Sequence, residues 1–319
     1  MISFRGIQQS TIGILCILLA FACFSTQDML FKWLTPYYAI PAVHLFRIAF
    51  SVSITLMFLL PLEARRAKQS LVATARIRQP WRHLWRSIFI FAANICFFAG
   101  LAVNDMGIHV AIFFLAPLIL TGMSVVFLGE QVGWRRWSAI IVGLAGGLLI
   151  IKPTPDAFNP LLLLPLAAAF LHATNQLFTR QLGRTENAAM MSASAQFTWI
   201  VLGFVMFFSM ADGRFDPGID HAFHPLFRAW DWPTAAHWPI LGGIILLSTA
   251  GGYFVAQGYR LIPASTAAQY EYIALPLGVL WGMTIWGERP DALAWLGIVL
   301  VAGAGLYVFY RERLRGQKT

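Results

Sequence analysis

The chain has 319 residues, of which 58% are hydrophobic and only 12% are charged. About a quarter of the residues of a soluble domain are charged, so this composition excludes an ordinary water-soluble protein. The formal net charge of +9 raises nucleic-acid binding as an alternative, which the placement of the basic residues has to decide.

Apolar runs follow one another along the chain, and each approaches the roughly 20 residues that a membrane helix needs. They lie near residues 11–33, 39–61, 84–103, 108–128, 136–152, 158–179, 190–210, 238–260, 264–286 and 292–310. These runs predict an all-α integral membrane protein with ten transmembrane helices. The first run carries no convincing cleavage site, so we expect a membrane helix there and not a signal peptide.

Most of the 23 Lys and Arg residues fall in loops on the side of the membrane that would hold both termini, with a cluster between Arg65 and Arg86. Cytoplasmic loops carry an excess of basic residues, so the chain is predicted to be a multi-pass protein of the cell inner membrane with both termini cytoplasmic. The net charge is then a product of topology. We expect membrane lipids as partners of this surface and no binding of nucleic acid.

The two halves of the chain share a spaced pattern, which indicates an internal repeat. Pro117, Gly129-Glu130 and Trp137 in the first half match Pro276, Gly287-Glu288 and Trp295 in the second. More loosely, Thr26-Gln27-Asp28 with Lys32 matches Thr174-Asn175-Gln176 with Arg180. Because five is an odd number of spans, the second copy enters the membrane in the opposite sense. We therefore predict two inverted five-helix repeats, residues 11–152 and 158–310, around a central cavity, followed by a cytoplasmic basic tail, 311–319.

Through this pattern, together with Lys32 and Arg47, the sequence resembles the drug/metabolite transporter superfamily, and within it the ten-helix EamA type. The resemblance covers nearly the whole chain. The family usually has Trp-x-Gly after the Gly-Glu pair, which Trp295-Leu296-Gly297 fits and Trp137-Ser138-Ala139 does not. It implies transport of small organic metabolites, such as amino acids, nucleotide-like compounds or cofactors. The segment Gln27–Leu34 looks like that of permeases for S-adenosylmethionine or riboflavin-like compounds, and amino-acid export is a comparable alternative.

Charged side chains inside the predicted spans are the first candidates for a functional site, because a charge at membrane depth costs at least about 2.5 kcal/mol unless it faces a cavity or a partner. Asp28 and Arg47 lie at similar depth on neighbouring helices, so we expect an ion pair. That pair either locks the two helices together or leaves Arg47 to anchor a substrate carboxylate or phosphate. In the structural alternative, Lys32 is expected to extend outward to the headgroups.

Glu271 is the strongest single candidate, since it precedes Pro276, whose missing N–H favours a kink. A role in proton or cation coupling competes with simple pairing to Arg260 or to an amide of the sixth span. Further candidates for substrate binding or coupling share helix faces or offer rings, and packing is the alternative for those of the sixth span and for Trp281. They are His172, Asn175, Gln176, Tyr253, Gln257, Tyr270 and Trp281.

No Walker A stretch occurs, so ATP-driven pumping is not supported. We predict a non-enzymatic secondary transporter that is gradient-driven, works by alternating access, takes a small-molecule substrate and uses no cofactor. A membrane-embedded enzyme acting on a lipid or lipid-linked substrate is the alternative, and a scaffold or receptor subunit is a third. Asp212, Asp216 and Asp220 are interpreted as a solvated acidic loop and not as a metal site. A homodimer stays open as the assembly.

Overall fold

The structure, a computed structural model, describes residues 4–59, 61, 64–65, 68, 70, 77–129, 134–152, 159–182, 188–261 and 270–316. Within this part the regular elements are helical. They are α1 (Phe4–Leu34), α2 (Ile40–Ile54), α3 (Pro80–Val103), α4 (Met106–Phe113), α5 (Ala116–Leu128), α6 (Trp134–Ile151), α7 (Leu163–Leu182), α8 (Ala188–Met210), α9 (His224–Phe227), α10 (Trp238–Leu261), α11 (Ala274–Trp281) and α12 (Ala292–Gly316). A single 3-10 turn, Pro160–Leu162, precedes α7, and π-helical turns extend α2 over Thr55–Leu59 and α11 over Gly282–Trp286.

Length and composition show which helices suit a membrane. Six segments among the described residues are long and apolar enough to cross one: Thr11–Leu34, Ile40–Phe58, Pro80–Val103, Met106–Phe127, Pro160–Thr179 and Ala193–Met210. Four shorter apolar helices are Trp137–Ile151, Trp238–Gly252, Ala274–Trp286 and Ala292–Tyr307. Large apolar side chains on the outside remain uncovered by protein, with Phe208 76%, Val126 74% and Leu246 71% exposed. Lipid covers such a surface at little free-energy cost, so the chain is an all-helical, multi-pass membrane protein.

Helices from the two halves of the chain pack against each other in pairs. The pairs are α1 with α10, α3 with α7, α4 with α11, α6 with α12 and α2 with α8. The best buried side chains cluster where α1 and α3 end and α4 begins, and Phe31, Leu34, Leu101 and Met106 have no exposed surface there. We call this the Lys32 end of the bundle. The apolar core therefore sits toward one end of the molecule and not around its middle.

Two of the apolar helices are interrupted, each just before a proline. The chain turns at residues 114–115, before Pro117, and again at residues 272–273, before Pro276. Proline has no N–H to give to the carbonyl four residues earlier, and its ring crowds that carbonyl, so the helix breaks one turn before it. The kink predicted at Pro276 is thus confirmed.

The glycine of each Gly-Glu pair has the same left-handed backbone. Gly129 has φ 66° and ψ 22°, and Gly287 has φ 66° and ψ 19°, each at the C-cap of its helix. An added Cβ at either position would meet no atom within 4 Å. Glycine is therefore required at both sites by the positive φ and not by close packing.

Close contact between α6 and α12 depends on two glycines. A Cβ on Gly297 would lie 2.6 Å from the carbonyl oxygen of Gly146, and a Cβ on Gly146 would lie 2.9 Å from that of Gly297. Backbone cannot move aside as a side-chain tip can, so any larger residue forces the two helices apart. Small residues commonly permit such close contact between membrane helices.

We expect Gly297→Val to lower the thermal unfolding midpoint of the purified protein, since overpacking typically costs about 1–3 kcal/mol. The matched control is Gly303→Val on the same helix, where an added Cβ meets nothing within 4 Å. Thermal unfolding in detergent measures both variants. Equal midpoints for the two variants would contradict the contact.

Candidate functional site

A cavity of about 870 Å³ lies within the helix bundle. It is lined from α1, α2, α3, α4, α5, α7, α10 and α11, together with Glu271 just before α11, so both halves of the chain contribute. Of the residues predicted from sequence, those that line it are Asp28, Arg47, His172, Gln176 and Glu271. The three charged candidates inside the spans thus face one space, although they are far apart in the sequence.

Arg47 forms a hydrogen bond with a buried histidine of the same helix. Its Nη2 donates a hydrogen bond to Nδ1 of His44 at 3.1 Å, so that nitrogen carries no proton. His44 has no exposed surface and packs among the rings of Phe31, Phe98 and Trp199, at centroid distances of 4.7, 4.5 and 4.7 Å. Among the described residues, Nε of Arg47 has no hydrogen-bond partner. The guanidinium therefore keeps donor capacity for a further anionic group.

A chain of hydrogen bonds orients Asp28. Ser248 Oγ on α10 donates to Gln27 Oε1, and Gln27 Nε2 donates to Asp28 Oδ1 at 3.1 Å. Gln27 is only 3% exposed, so this chain is fixed by packing as well as by hydrogen bonds. The predicted Asp28–Arg47 ion pair is wrong, because no ion pair within 4.0 Å joins these two described residues. Each takes a neutral hydrogen-bond partner instead, and the two opposite charges interact electrostatically without direct contact.

The remaining walls are mostly aromatic, and the sequence interpretation missed them. Six phenylalanines line the cavity: Phe21, Phe24, Phe97, Phe98, Phe113 and Phe114. Some form a continuous cluster, with Phe97 centred 5.1 Å from Phe98 and 4.8 Å from Phe113. Asn94 and Thr121 add polar groups that were also missed. Asn94 is a polar side chain within an apolar run, and that signal was available in the sequence.

Two of the predicted cavity residues are neighbours on α7, and the remaining predicted residues lie outside the lining. His172 and Gln176 share a helix face as expected, with Nε2 of each 3.4 Å apart. Asn175, Tyr270 and Trp281 are described but lie outside the cavity lining. Tyr270 packs near Ile17, and Trp281 packs against the main apolar core. Tyr253 and Gln257 lie on α10, whose Gly252 and Val255 line the cavity, but their side chains fall outside the described part of the chain, as do Glu130 and Lys318.

Lys32 does not extend outward, and this corrects the sequence interpretation. Its Nζ lies 2.5 Å from Glu288 Oε1, and both side chains are about one-tenth exposed. The same ammonium donates to the carbonyl oxygen of Asn104 at 2.7 Å and sits 4.8 Å from the ring of Trp286. A partner 256 positions away in the chain thus replaces the expected headgroups.

The carboxyls of the loop between α8 and α10 have local partners. Arg214 donates to both carboxylate oxygens of Asp212 at 3.0 Å, and this hydrogen bonding lowers the pKa of that carboxyl. Asp216 Oδ1 lies 2.7 Å from His224 Nδ1, and the hydrogen bond lowers the pKa of Asp216 in the same way. These two carboxylates are therefore committed to neighbours within the loop.

Comparison with known proteins places this cavity in a family context. The model of the EamA-like transporter family matches residues 11–152. Residues 11–152 are an EamA family domain. This confirms the resemblance drawn from the repeat pattern, Lys32 and Arg47. The EamA domain contains Asp28, Arg47 and all six phenylalanines of the cavity wall, while His172, Gln176 and Glu271 lie beyond it.

Relatives over nearly the full length are named as transporters. The riboflavin transporter of Rhizobium johnstonii is 27% identical over 97% of this chain and 95% of its own. The S-adenosylmethionine uptake transporter of Rickettsia bellii is 24% identical over 95% of each chain. The pseudopaline exporter CntI of Pseudomonas aeruginosa is 24% identical over 92% of this chain and 94% of its own. The chain is therefore similar along most of its length to proteins named for small-metabolite transport.

A solved crystal structure has a similar fold. It covers 96% of this chain and 98% of its own, with a TM-score of 0.55 at 15% sequence identity. The likeness extends through both halves of the chain, beyond the matched EamA domain.

Proposed function

We propose that this protein is a secondary transporter that carries small organic metabolites across the cell inner membrane by alternating access. The observation that carries the proposal is the cavity. Charged groups of both signs and aromatic rings line one space inside an apolar helix bundle, where an isolated charge would be costly. Its volume of about 870 Å³ falls in the range of small-molecule sites.

The packing of the helices supports ten spans in two inverted repeats. Exchanging each helix for its counterpart in the other half turns the α1–α10 pair into the α7–α3 pair and leaves the pairs α2–α8 and α6–α12 in place. The breaks before Pro117 and Pro276, and the equal backbone angles of Gly129 and Gly287, follow the same exchange. Many secondary transporters combine inverted repeats and broken helices with a substrate site between the halves.

The charges of the cavity favour a zwitterionic substrate with a flat ring. Arg47 suits a carboxylate through its paired donors, while Asp28 and Glu271 suit an ammonium or another cationic centre. The phenylalanine rings suit a heterocycle by stacking or edge contact. S-adenosylmethionine, for which a relative is named, combines a ring, a carboxylate and an excess of positive charge. We take this class as the preferred substrate.

A flavin is the second candidate, because the riboflavin transporter of Rhizobium johnstonii is also similar over nearly the whole chain. Its ring would suit the phenylalanine walls. A substrate without ionised groups would, however, give no counter-charge to Arg47 or to the cavity carboxylates. These charged side chains would then have no role in substrate binding. The two candidates therefore differ in their need for Arg47.

Reconstituted liposomes test the proposal with four compounds: S-adenosylmethionine, methionine, adenosine and riboflavin. Methionine has the zwitterion without the ring, and adenosine has the ring without the zwitterion. We expect S-adenosylmethionine to enter much faster than its two fragments, measured by mass spectrometry against protein-free liposomes. Movement of riboflavin alone would support the transport function and reject the zwitterionic substrate class. No movement of any of the four would contradict this proposal, and conversion of a compound without movement would favour the membrane-enzyme alternative.

Glu271 is proposed to couple transport to an ion gradient, since it is a carboxylate on the cavity wall just before a broken helix. We expect Glu271→Gln to abolish the stimulation of uptake by an imposed pH gradient while exchange across equal pH continues, because an amide cannot take up and release a proton. Asp220→Asn, in the exposed loop, is the control carboxylate. Equal stimulation in wild type and Glu271→Gln would remove this role.

A further inference from the structure

At the Lys32 end, a single buried ion pair joins four pieces of the chain. Lys32 on α1 binds Glu288, in the segment after α11, at 2.5 Å. The second carboxylate oxygen of Glu288 accepts a hydrogen bond from the N–H of Met106 at 2.6 Å, at the first turn of α4. Lys32 also donates to the carbonyl of Asn104, the C-cap of α3. Each charged group thus also forms a hydrogen bond with a backbone group at a helix end: Glu288 with the N–H of Met106, and Lys32 with the carbonyl of Asn104.

This cluster lies one helical turn beyond the cavity. Asp28 and Val110 line the cavity, and Lys32 and Met106 are each four residues away on the same helix, which is about 6 Å along the axis. Phe31, Leu34 and Leu101, none with exposed surface, fill the space at the same level. The ion pair and these apolar side chains thus occupy the level between the cavity and the Lys32 end of the bundle.

We propose that Lys32 and Glu288 are gating residues of the transport cycle: their charges are buried and paired while the cavity is shut at the Lys32 end, and they separate when that end opens. The inference rests on the proposed transport function. The two charges belong to different halves of the chain, so a movement that carries Glu288 away from the end of α1 separates them. Once separated they are hydrated, so the open state needs no partner for either charge.

The two states therefore respond differently to loss of one partner. In the closed state, removing Glu288 leaves the Lys32 ammonium buried without its counter-charge, which is strongly unfavourable. In the open state the same ammonium is in water. Removing one partner accordingly shifts the population toward the state open at the Lys32 end. Removing both charges leaves no unpaired ion, so the shift should largely reverse.

Cysteine labelling tests this without transport. Cys16, Cys23 and Cys96 are replaced by alanine, and Val110→Cys, 5% exposed on the cavity wall, is the reporter. A membrane-impermeant maleimide is added to either side of sealed vesicles. We expect Glu288→Gln to speed labelling from the Lys32 side by about tenfold or more. The control is Lys152→Gln, which breaks an exposed ion pair with Asp291 at α12.

The double variant Lys32→Met with Glu288→Gln separates gating from misfolding, since a pair-specific effect predicts a labelling rate near that of the unmodified pair. Unchanged labelling in Glu288→Gln would overturn the gate, and so would equal acceleration in Lys152→Gln or in the double variant. If Glu288→Gln yields no monodisperse protein, Glu288→Asp and the double variant give the same comparison. Labelling needs no substrate, so failure of the gate and failure of the transport function are measured separately.

Discussion

Replacing Arg47 by glutamine is expected to abolish uptake of an anionic or zwitterionic substrate while the yield of folded protein stays normal. Hydrogen bonds to a charged group contribute about 1.5–3 kcal/mol each, so losing a two-point contact to a carboxylate lowers substrate affinity by roughly 100-fold or more. Flux in liposomes and the amount of monodisperse protein are measured on the same preparation. Normal flux would discard Arg47 as the anchor.

The fold should tolerate this change because Arg47 forms no ion pair with Asp28 or with any other described residue. Its hydrogen bond goes to His44 Nδ1, which can accept from a glutamine amide as well. Removing the guanidinium therefore leaves no carboxylate without a direct ion-pair partner. Loss of folded protein in Arg47→Gln would instead support the structural alternative that the sequence left open.

Arg86 provides the matched control. It is a buried arginine on α3 that donates to the carbonyl oxygen of Met191 and to Ser194 Oγ on α8, away from the cavity. We expect Arg86→Gln to reduce folded protein and to leave the substrate affinity of the remainder unchanged. The two arginines thus separate a binding role from a structural one.

Charge was the most reliable signal in the sequence for the candidate site. Asp28, Arg47 and Glu271 stand out in the sequence because charges at membrane depth are costly, and all three line the cavity. Helical periodicity also placed His172 and Gln176 on one face. His44 lies three residues before Arg47 on the same helix, so that partner was within reach of the sequence. Ser248 meets Gln27, the partner of Asp28, only through tertiary packing, which the sequence did not reveal.

The aromatic wall could not be read from the sequence for a physical reason. In a membrane protein, a phenylalanine side chain can face lipid, pack in the core or line a cavity at similar free-energy cost. Phe97 lines the cavity, whereas Phe208 is 76% exposed on the outside, and both lie in similarly apolar runs. Composition alone cannot separate these environments. Only the relative placement of the helices does so.

The interpretation of Lys32 failed because it used only local context. A lysine near the end of a membrane helix normally extends to the headgroups. The repeat pattern had singled out Glu288 on independent grounds, but nothing in the spacing showed that one repeat's lysine meets the other repeat's glutamate. The helical class and the broken helix at Pro276, in contrast, followed from hydropathy and from proline chemistry. The division at residues 152 and 158 stays a prediction.

The most direct measurement asks whether metabolites pass through the cavity. Gly252 lines the cavity and an added Cβ there meets no atom within 4 Å, so Gly252→Trp would place an indole in open space inside it. Gly303→Trp is the matched control, because that exposed glycine of α12 is equally unobstructed but does not line the cavity. Uptake of the four-compound panel into liposomes is compared for wild type and both variants.

We predict that Gly252→Trp lowers uptake to the level of protein-free liposomes, because the indole occupies space that a substrate needs, while Gly303→Trp retains wild-type uptake. Both variants should give equal amounts of monodisperse protein, which excludes misfolding as the cause. Undiminished uptake by folded Gly252→Trp would contradict the central claim that this cavity is the transport path.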